Sequence, residues 1–262
     1  MKLASWNVNS LKVRLPQLLD WLARHRPDVV CLQETKLEDD KFPTGEIEGA
    51  GYRCAWSGQK TYNGVAILSR NPLAGAMTGI PSFPDEQKRV IAASVGQGAD
   101  AIRVVCVYVP NGQVVGSDKY EYKLRWLAAC RGWLEQELIS HPRLAVLGDY
   151  NVAPEDEDVH DPKAWEGRVL FSAPEREAFR SLLALGLKDA FRMFTQKEKS
   201  FTWWDYRMNG FKRNLGLRID HILLSSGLAS QCRQCLIDVE PRRSERPSDH
   251  APVMAELQLE SL

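Results

Sequence analysis

The sequence predicts an α/β fold with helices stacked on sheets, from three observations. A strand–helix–strand block opens the chain, a second such block follows in its middle, and a run of strands without helices separates the two. In the first block LASWNV is strand-like, and Leu15, Leu18, Leu19 and Leu22 then fall on one face of a helix opened by Pro16. Val29, Val30, Cys31 and Leu32 form a short apolar run of the kind a buried strand shows. Tyr52–Ser57, Gly64–Ser69, Val90–Val95 and Ile102–Val109 read as strands separated by Gly, Pro and Asn, so this stretch is expected to be antiparallel.

The second block begins with a helix over Lys119–Leu138. Leu124, Leu127, Leu134 and Leu138 share one face, which Trp126, Cys130 and Trp133 widen. The apolar strand Leu144–Leu147 follows and ends in Gly148, Asp149, Tyr150 and Asn151. Ser172 and Glu175 fit a capping box, Phe179, Leu182 and Leu183 supply the next helix's apolar face, and Gly186 stops it. Further strands are expected at Phe201–Trp204, Ile219–Ser225, Leu236–Val239 and Val253–Leu257. No Ser/Gly or Pro-rich linker interrupts the chain, so residues 1–262 are expected to form a single domain.

Composition narrows the function classes. With 44% hydrophobic and 26% charged residues, the chain can bury a full core, which excludes disordered and collagen-like designs. Lys+Arg and Asp+Glu both number 34, so net charge points to neither nucleic acid nor membrane, and any polyanion must be met by local patches. No apolar run reaches the roughly 18 residues of a membrane span, and MKLASWNVNS lacks a signal peptide's apolar core. The protein is expected to begin near Met1 and to have no membrane partner. Six scattered cysteines, two of them inside apolar runs, favour free thiols and a reducing cytoplasm; Cys232 and Cys235 form a lone CxxC read as two ordinary thiols. The acidic run Glu155–Asp158 with Asp161 reads as a solvated loop.

Several polar residues stand at the ends of apolar strands, where a scaffold holds them rigidly beside open loops. They are Asn7 and Asn9, Glu34, Tyr108 and Asn111, Asp149 and Asn151, Asp220 and His221, and Asp249 with His250. Singly, each has a plain explanation, since a strand-terminal Asp or Asn is more often a turn former than a catalyst. Together they make a set of carboxylates, an imidazole, a phenol and amides. Hard oxygen donors such as Glu34 suit Mg²⁺, with Mn²⁺ as the alternative. No GxSxG, Walker A loop or HExxH occurs, so the set fits metal-assisted hydrolysis of a phosphate ester by water.

The segments SWNVNS, CLQETK, TYNGVAILSR, VYVPNG, LGDYN, FTWWDYR, GLRIDHILLS and PSDHAP run in order from residue 5 to residue 252. In them the chain resembles the exonuclease III family of DNA repair nucleases and apurinic/apyrimidinic endonucleases, within the wider endonuclease/exonuclease/phosphatase group. The resemblance implies a four-layered α/β sandwich, two mixed sheets face to face with helices outside and a site at one edge. It implies Glu34 as main metal ligand with Asn7, Asn9 and Asp249 around the ion; the family has Asn or Asp at the position of Asn9. Asp149 matches the carboxylate that orients or deprotonates water, Asn151 its neighbouring amide, and Asp220 and His250 the paired Asp–His. Tyr108 and Asn111 match phosphate-contacting residues, and Trp203, Leu217 and Ile219 line the family's pocket for a baseless sugar. Asp149 is assigned as base, with His250 the competing assignment.

Local basic residues are the expected DNA contacts: Lys60 near Asn63, Arg89, Arg207, Lys212, Arg213, Arg218, Arg242, Arg243 and Arg246. The implied function is a Mg²⁺-dependent nuclease of base excision repair, cutting 5′ to abasic sites and trimming or dephosphorylating 3′ ends of duplex DNA. The rival within the family is a member specialised as 3′-exonuclease and 3′-phosphatase with weak abasic-site cleavage. An inositol or lipid phosphatase is disfavoured by TYNGVAI and TWWDYR, and an inactive DNA-binding protein by the complete set of acidic residues and His250. A single chain encloses such a site, so a monomer is expected.

Overall fold

The computed structural model describes residues 1–259. Its strands in chain order are β1 (Lys2–Asn7), β2 (Val29–Gln33), β3 (Arg53–Ser57), β4 (Val65–Ser69), β5 (Leu73–Thr78), β6 (Val90–Val95), β7 (Ile102–Tyr108), β8 (Leu144–Asp149), β9 (Lys188–Asp189), β10 (Trp203–Trp204), β11 (Gly216–Leu217), β12 (Asp220–Leu224), β13 (Cys232–Ile237) and β14 (Val253–Leu257). The helices are α1 (Leu11–His25), α2 (Thr44–Gly49), α3 (Asp118–Ser140), α4 (Pro162–Trp165), α5 (Ala173–Leu183) and α6 (Ser226–Ala229), with short 3₁₀ turns between.

Two six-stranded mixed sheets result, in the orders β13-β14-β1-β2-β4-β3 and β5-β6-β7-β8-β12-β9. Each contains one parallel pair, β1–β2 and β7–β8. A parallel pair needs a crossover, and α1 and α3 are those crossovers. This is why the two strand–helix–strand blocks are legible in sequence.

The inner faces pack against each other through residues such as Leu3, Cys31 and Ile67 of the first sheet and Ile91, Val104, Leu147 and Ile222 of the second. On the outside, Leu18, Trp21 and Leu22 of α1 cover Trp6, Val30 and Leu68. Trp126, Leu127 and Trp133 of α3, with Phe179 and Leu182 of α5, cover Val105, Val146 and Leu223. Helix, sheet, sheet and helix thus form the four expected layers, and the central strands, buried on both faces, read as continuous apolar runs.

The departures from expectation have local causes. Helix α1 starts at Leu11 and carries Pro16 inside it; the proline is exposed, so the hydrogen bond it cannot make concerns a solvent-facing turn. The expected strand at Phe201–Trp204 shrinks to β10, which forms a separate two-stranded sheet with β11. The last-but-one strand lies at Cys232–Ile237 rather than Leu236–Val239. A bulge between Cys232 and Gln234 turns both cysteines inward, and all six thiols are free. Strand β5, LAGAMT, has no alternating pattern to announce it. The acidic run is not wholly solvated: Asp158 is fully buried, whereas Asp156, Glu157 and Asp161 are exposed.

Gly148 is required by close approach. A Cβ there would lie 1.9 Å from the Val107 carbonyl oxygen across the β7–β8 ladder, one residue before Asp149. Gly148→Ala is therefore expected to cost about 1–3 kcal/mol through overpacking. Thermal unfolding should show Tm falling by roughly 2–4 °C per kcal/mol in a chain of this size, and an unchanged Tm would contradict this packing.

Candidate active site

The strand ends bring the polar set together. Asn7 ends β1, Glu34 follows β2, Tyr108 ends β7, Asp149 ends β8 and Asp220 opens β12, so both sheets present polar termini at one edge. In the second sheet the ladder sets Asp149 beside Tyr108 on one flank and Asp220 on the other. His250 arrives from the loop before β14 through a bridge to Trp203, and Trp6 Nε1 donates to its carbonyl at 3.3 Å.

Asn7 joins the two sheets. Its Nδ2 donates to Glu34 Oε1 at 2.8 Å and to Asp149 Oδ2 at 2.9 Å, while its Oδ1 accepts the Asn9 backbone N–H at 2.9 Å, which fixes the amide's orientation. Asp149 Oδ1 accepts the Asn151 N–H at 2.9 Å. Asn151 Nδ2 donates to the Val109 carbonyl at 2.9 Å, and its Oδ1 accepts from Asn111 Nδ2 at 3.2 Å. Asn9, Glu34 and Asn151 have φ of 42°, 53° and 49°. Left-handed backbone at non-glycine residues costs energy, and here it turns side chains back over the strand ends.

The electrostatics follow from burial. His250 Nδ1 donates to Asp220 Oδ2 at 2.8 Å, and its Nε2 lies 3.7 Å from Asp149 Oδ2. Burial works against the imidazolium, but Asp220 and Asp149 overcome it and raise the His250 pKa to about 10. Burial also pushes Asp149 up to about 7, with His250 pulling the other way. Burial would raise Glu34 too, yet Lys36 at 2.9 Å and the Asn7 amide hold it below the usual carboxylate range. Tyr108 stays a neutral phenol because burial and the Glu34 and Asp149 charges push it well up.

One oxygen each from Glu34 and Asp149 and a ring nitrogen of His250 lie within 4.8 Å of one another. With His250 protonated, the donors left for a cation are hard oxygens, which fits a divalent metal. Asp249, expected among the ligands, is outside this group. Its Oδ1 accepts from Asn9 Nδ2 at 2.9 Å and its Oδ2 from Trp203 Nε1 at 3.0 Å, so both oxygens already serve neutral donors.

The expected DNA-facing residues divide. Lys60 and Arg207 are exposed, the latter paired with Asp205 at 2.7 Å, as are Lys212, Arg213, Arg243 and Arg246. Arg89 is half-buried with its guanidinium 4.7 Å from the Tyr108 ring centre, and Asn63 is buried, donating to Gln59 at 2.8 Å. Arg218 must be corrected. It is 1% exposed and bound to Asp158 at 2.6 Å, Asp189 at 2.8 Å and His221 at 2.9 Å, so it is part of the interior. Arg242 is likewise buried, against Trp204, Tyr206 and Phe211.

Leu217 and Ile219 are buried beneath a half-buried Trp203, in one cluster with Leu170 and Phe171. Leu170, at φ 76°, is an aliphatic side chain in left-handed backbone that packs into the cluster expected to line an open pocket. Three contributors escaped the sequence reading. Lys36 bridges Glu34 and Asn9 Oδ1. Arg14 donates to the Asn9 and Pro247 carbonyls, and Ser248 Oγ to the Asn7 carbonyl. Lys36, two residues from Glu34, and Ser248, next to Asp249 in PSDHAP, left a signal; Arg14 left none.

The profile of the Endonuclease/Exonuclease/phosphatase family matches residues 4–250. Exodeoxyribonuclease III of Haemophilus influenzae is 37% identical over 98% of this chain and 99% of its own. The structure of a protein described as the 3′ phosphatase NExo from Neisseria, bound to product DNA hairpin, superposes with a TM-score of 0.96 at 47% identity, covering 99% of this chain and 100% of that one. An AP endonuclease from Archaeoglobus fulgidus gives a TM-score of 0.93 at 38% identity, with the same coverage.

Asp220→Asn is expected to bring the His250 pKa down from about 10 toward its unfolded value near 6.5. A raised folded-state pKa stabilises fully below the unfolded value, and that stabilisation is lost as pH rises through the folded one. The parent's contribution should therefore decay between about pH 6.5 and 10, and the variant's over a narrower window. An NMR titration of the His250 ring in EDTA reads this; an imidazole that titrates near 6.5 in both proteins would contradict the pairing.

Proposed function

Because the chain belongs to the endonuclease/exonuclease/phosphatase family, a group of hydrolases, we propose that it is a divalent-metal-dependent DNA repair nuclease. On this reading it cuts duplex DNA 5′ to abasic sites and processes 3′ ends as exonuclease and 3′-phosphatase. The observation that carries the proposal is the shared Asp149 carboxylate, held by Asn7 and Asn151 between Glu34 and the Asp220–His250 pair.

The chemistry follows from the charges. Burial pushes Asp149 above the usual carboxylate range, and it is assigned as the base toward the attacking water. His250, raised to about 10, is already a cation at that pH, so its role is to stabilise charge on a nonbridging phosphate oxygen. The Tyr108 phenol can add a donor toward the phosphate, while the Asn7 and Asn151 amides spend their hydrogens holding Asp149 in place. Glu34 and Asp149 would hold the metal, for which Mg²⁺ is the expected ion, with Asn9 and Asp249 further out. Bound there, the ion supplies Lewis-acid neutralisation of the phosphate. No helix among the described residues is long and apolar enough to cross a membrane.

A second reading, a member specialised for 3′ ends, is supported by the 47% identity to a protein described as a 3′ phosphatase.

Three duplexes separate these readings: one with an internal abasic-site analogue, one with a 3′-phosphate and one with a recessed 3′ end. Each is incubated with Mg²⁺ and with EDTA. Metal-dependent cleavage 5′ to the abasic site supports the first reading, processing of the 3′ ends alone supports the second, and no reaction on any duplex overturns both. Glu34→Ala and Asp149→Asn should each lower kcat by roughly 100-fold or more. If Asp149→Asn kept most of its activity while His250→Asn lost it, the base would be His250.

A further inference from the structure

Lys123 lies in the second turn of α3 with no solvent exposure. An ammonium has three hydrogens, and each has a partner here. It donates to the backbone carbonyls of Asn111 at 3.1 Å and Asn151 at 2.6 Å, and to the Glu175 carboxylate. Three segments distant in sequence meet at this point: the β7–α3 loop, the turn after β8 and the start of α5. Glu175, also without exposure, spends its remaining capacity on the same corner, accepting the Leu170 N–H at 3.0 Å and the Ser172 N–H at 3.1 Å.

A buried ion pair is a poor source of stability, because desolvation offsets most of its attraction and an apolar pair of similar volume often does as well. What an apolar pair could not do is satisfy the Asn111 and Asn151 carbonyls. Asn151 bonds Asp149 through its N–H at 2.9 Å, Asn111 Nδ2 donates to Asn151 Oδ1 at 3.2 Å, and Asn111 sits on an exposed loop whose Gly112 leans on the lysine stem, where a Cβ would be 3.1 Å from Lys123 Cδ. We infer that Lys123, held by Glu175, is a positioning residue for phosphodiester hydrolysis: it sets the spacing of the Asn111 and Asn151 backbones so that Asn151 keeps the Asp149 carboxylate in place and the Asn111 amide is presented to a phosphate beside it. This deepens the nuclease reading and rests on it.

The test uses the full chain with the 3′-phosphate and abasic duplexes. Lys123→Met with Glu175→Gln removes the link without leaving a buried charge. Displacing a substrate-holding group costs up to about 100-fold, so a loss of about 10- to 100-fold in kcat/KM is expected, with an unchanged far-UV spectrum. In an Asn151→Ala background the same pair of substitutions should cost less than about 3-fold, because the group it positions is already gone. A folded double variant as active as the parent, or a loss that multiplies in full on Asn151→Ala, overturns the inference. If the Met/Gln pair does not fold, Lys123→Gln with Glu175→Gln carries the same comparison, its amide still able to donate to one carbonyl. An inactive parent would instead defeat the nuclease reading itself, so the two failures are distinct.

Discussion

The Asn7 amide is the constraint on which the site depends. Its two hydrogens go to carboxylates from different sheets, Glu34 after β2 and Asp149 at the end of β8. The separation of those acids is therefore set by two hydrogen bonds as well as by the packing of the sheets. The hydrophobic contact of the inner faces is non-directional and would tolerate small slides; the amide would not. Its own orientation is fixed by the Asn9 N–H, which donates to Asn7 Oδ1 at 2.9 Å just before the chain turns left-handed at Asn9.

Buried carboxylates repel, and the molecule answers with cations of fixed position. Glu34, Asp149 and Asp220 crowd one edge, while Lys36 faces Glu34 and His250 lies between Asp149 and Asp220. The balance differs from one acid to the next. Glu34 has the ammonium beside it and stays ionised, whereas Asp149, deeper and sharing His250 with Asp220, is driven up toward neutrality. Two acids of one chemical type are separated in function by which cation each one touches.

The sequence made the fold legible where its elements obey a period. The crossover helices, the apolar strands of both sheets and the Ser172–Glu175 capping box follow from spacing alone. Strand β5 was not legible, because LAGAMT offers no alternation, and β9 and β11 are two-residue pairings that no periodicity can announce. The candidate site was legible as a list of residues at strand ends and through family motifs, but its partnerships were not. Asp249 looks like a ligand in sequence and is engaged by Asn9 and Trp203. Arg218 looks like a DNA contact and is an interior ion pair, since whether an arginine points in or out depends on partners sixty residues away. Local patterning carries no information about such partners.

The buried charges are concentrated where the chain is least regular. Arg218 ties β12's approach to Asp158 and Asp189, and Lys123 with Glu175 ties three loops together. A loop has no ladder to hold its carbonyls and exposes little apolar surface for packing, so its conformation must be fixed by directional bonds from side chains. Arginine and lysine, with five and three donors, fix several loop atoms at once where a serine would fix one. In a chain with no net charge, cations placed inside for this purpose are not available at the surface. On the proposed function, polyanion affinity would then rest on exposed cations such as Lys60, Lys212, Arg213 and Arg246. That division would let a neutral protein hold both a carboxylate-rich centre and a phosphate substrate: attraction would come from exposed cations, and within the site the negative charge would be neutralised by His250 and by the cation the oxygen donors would bind.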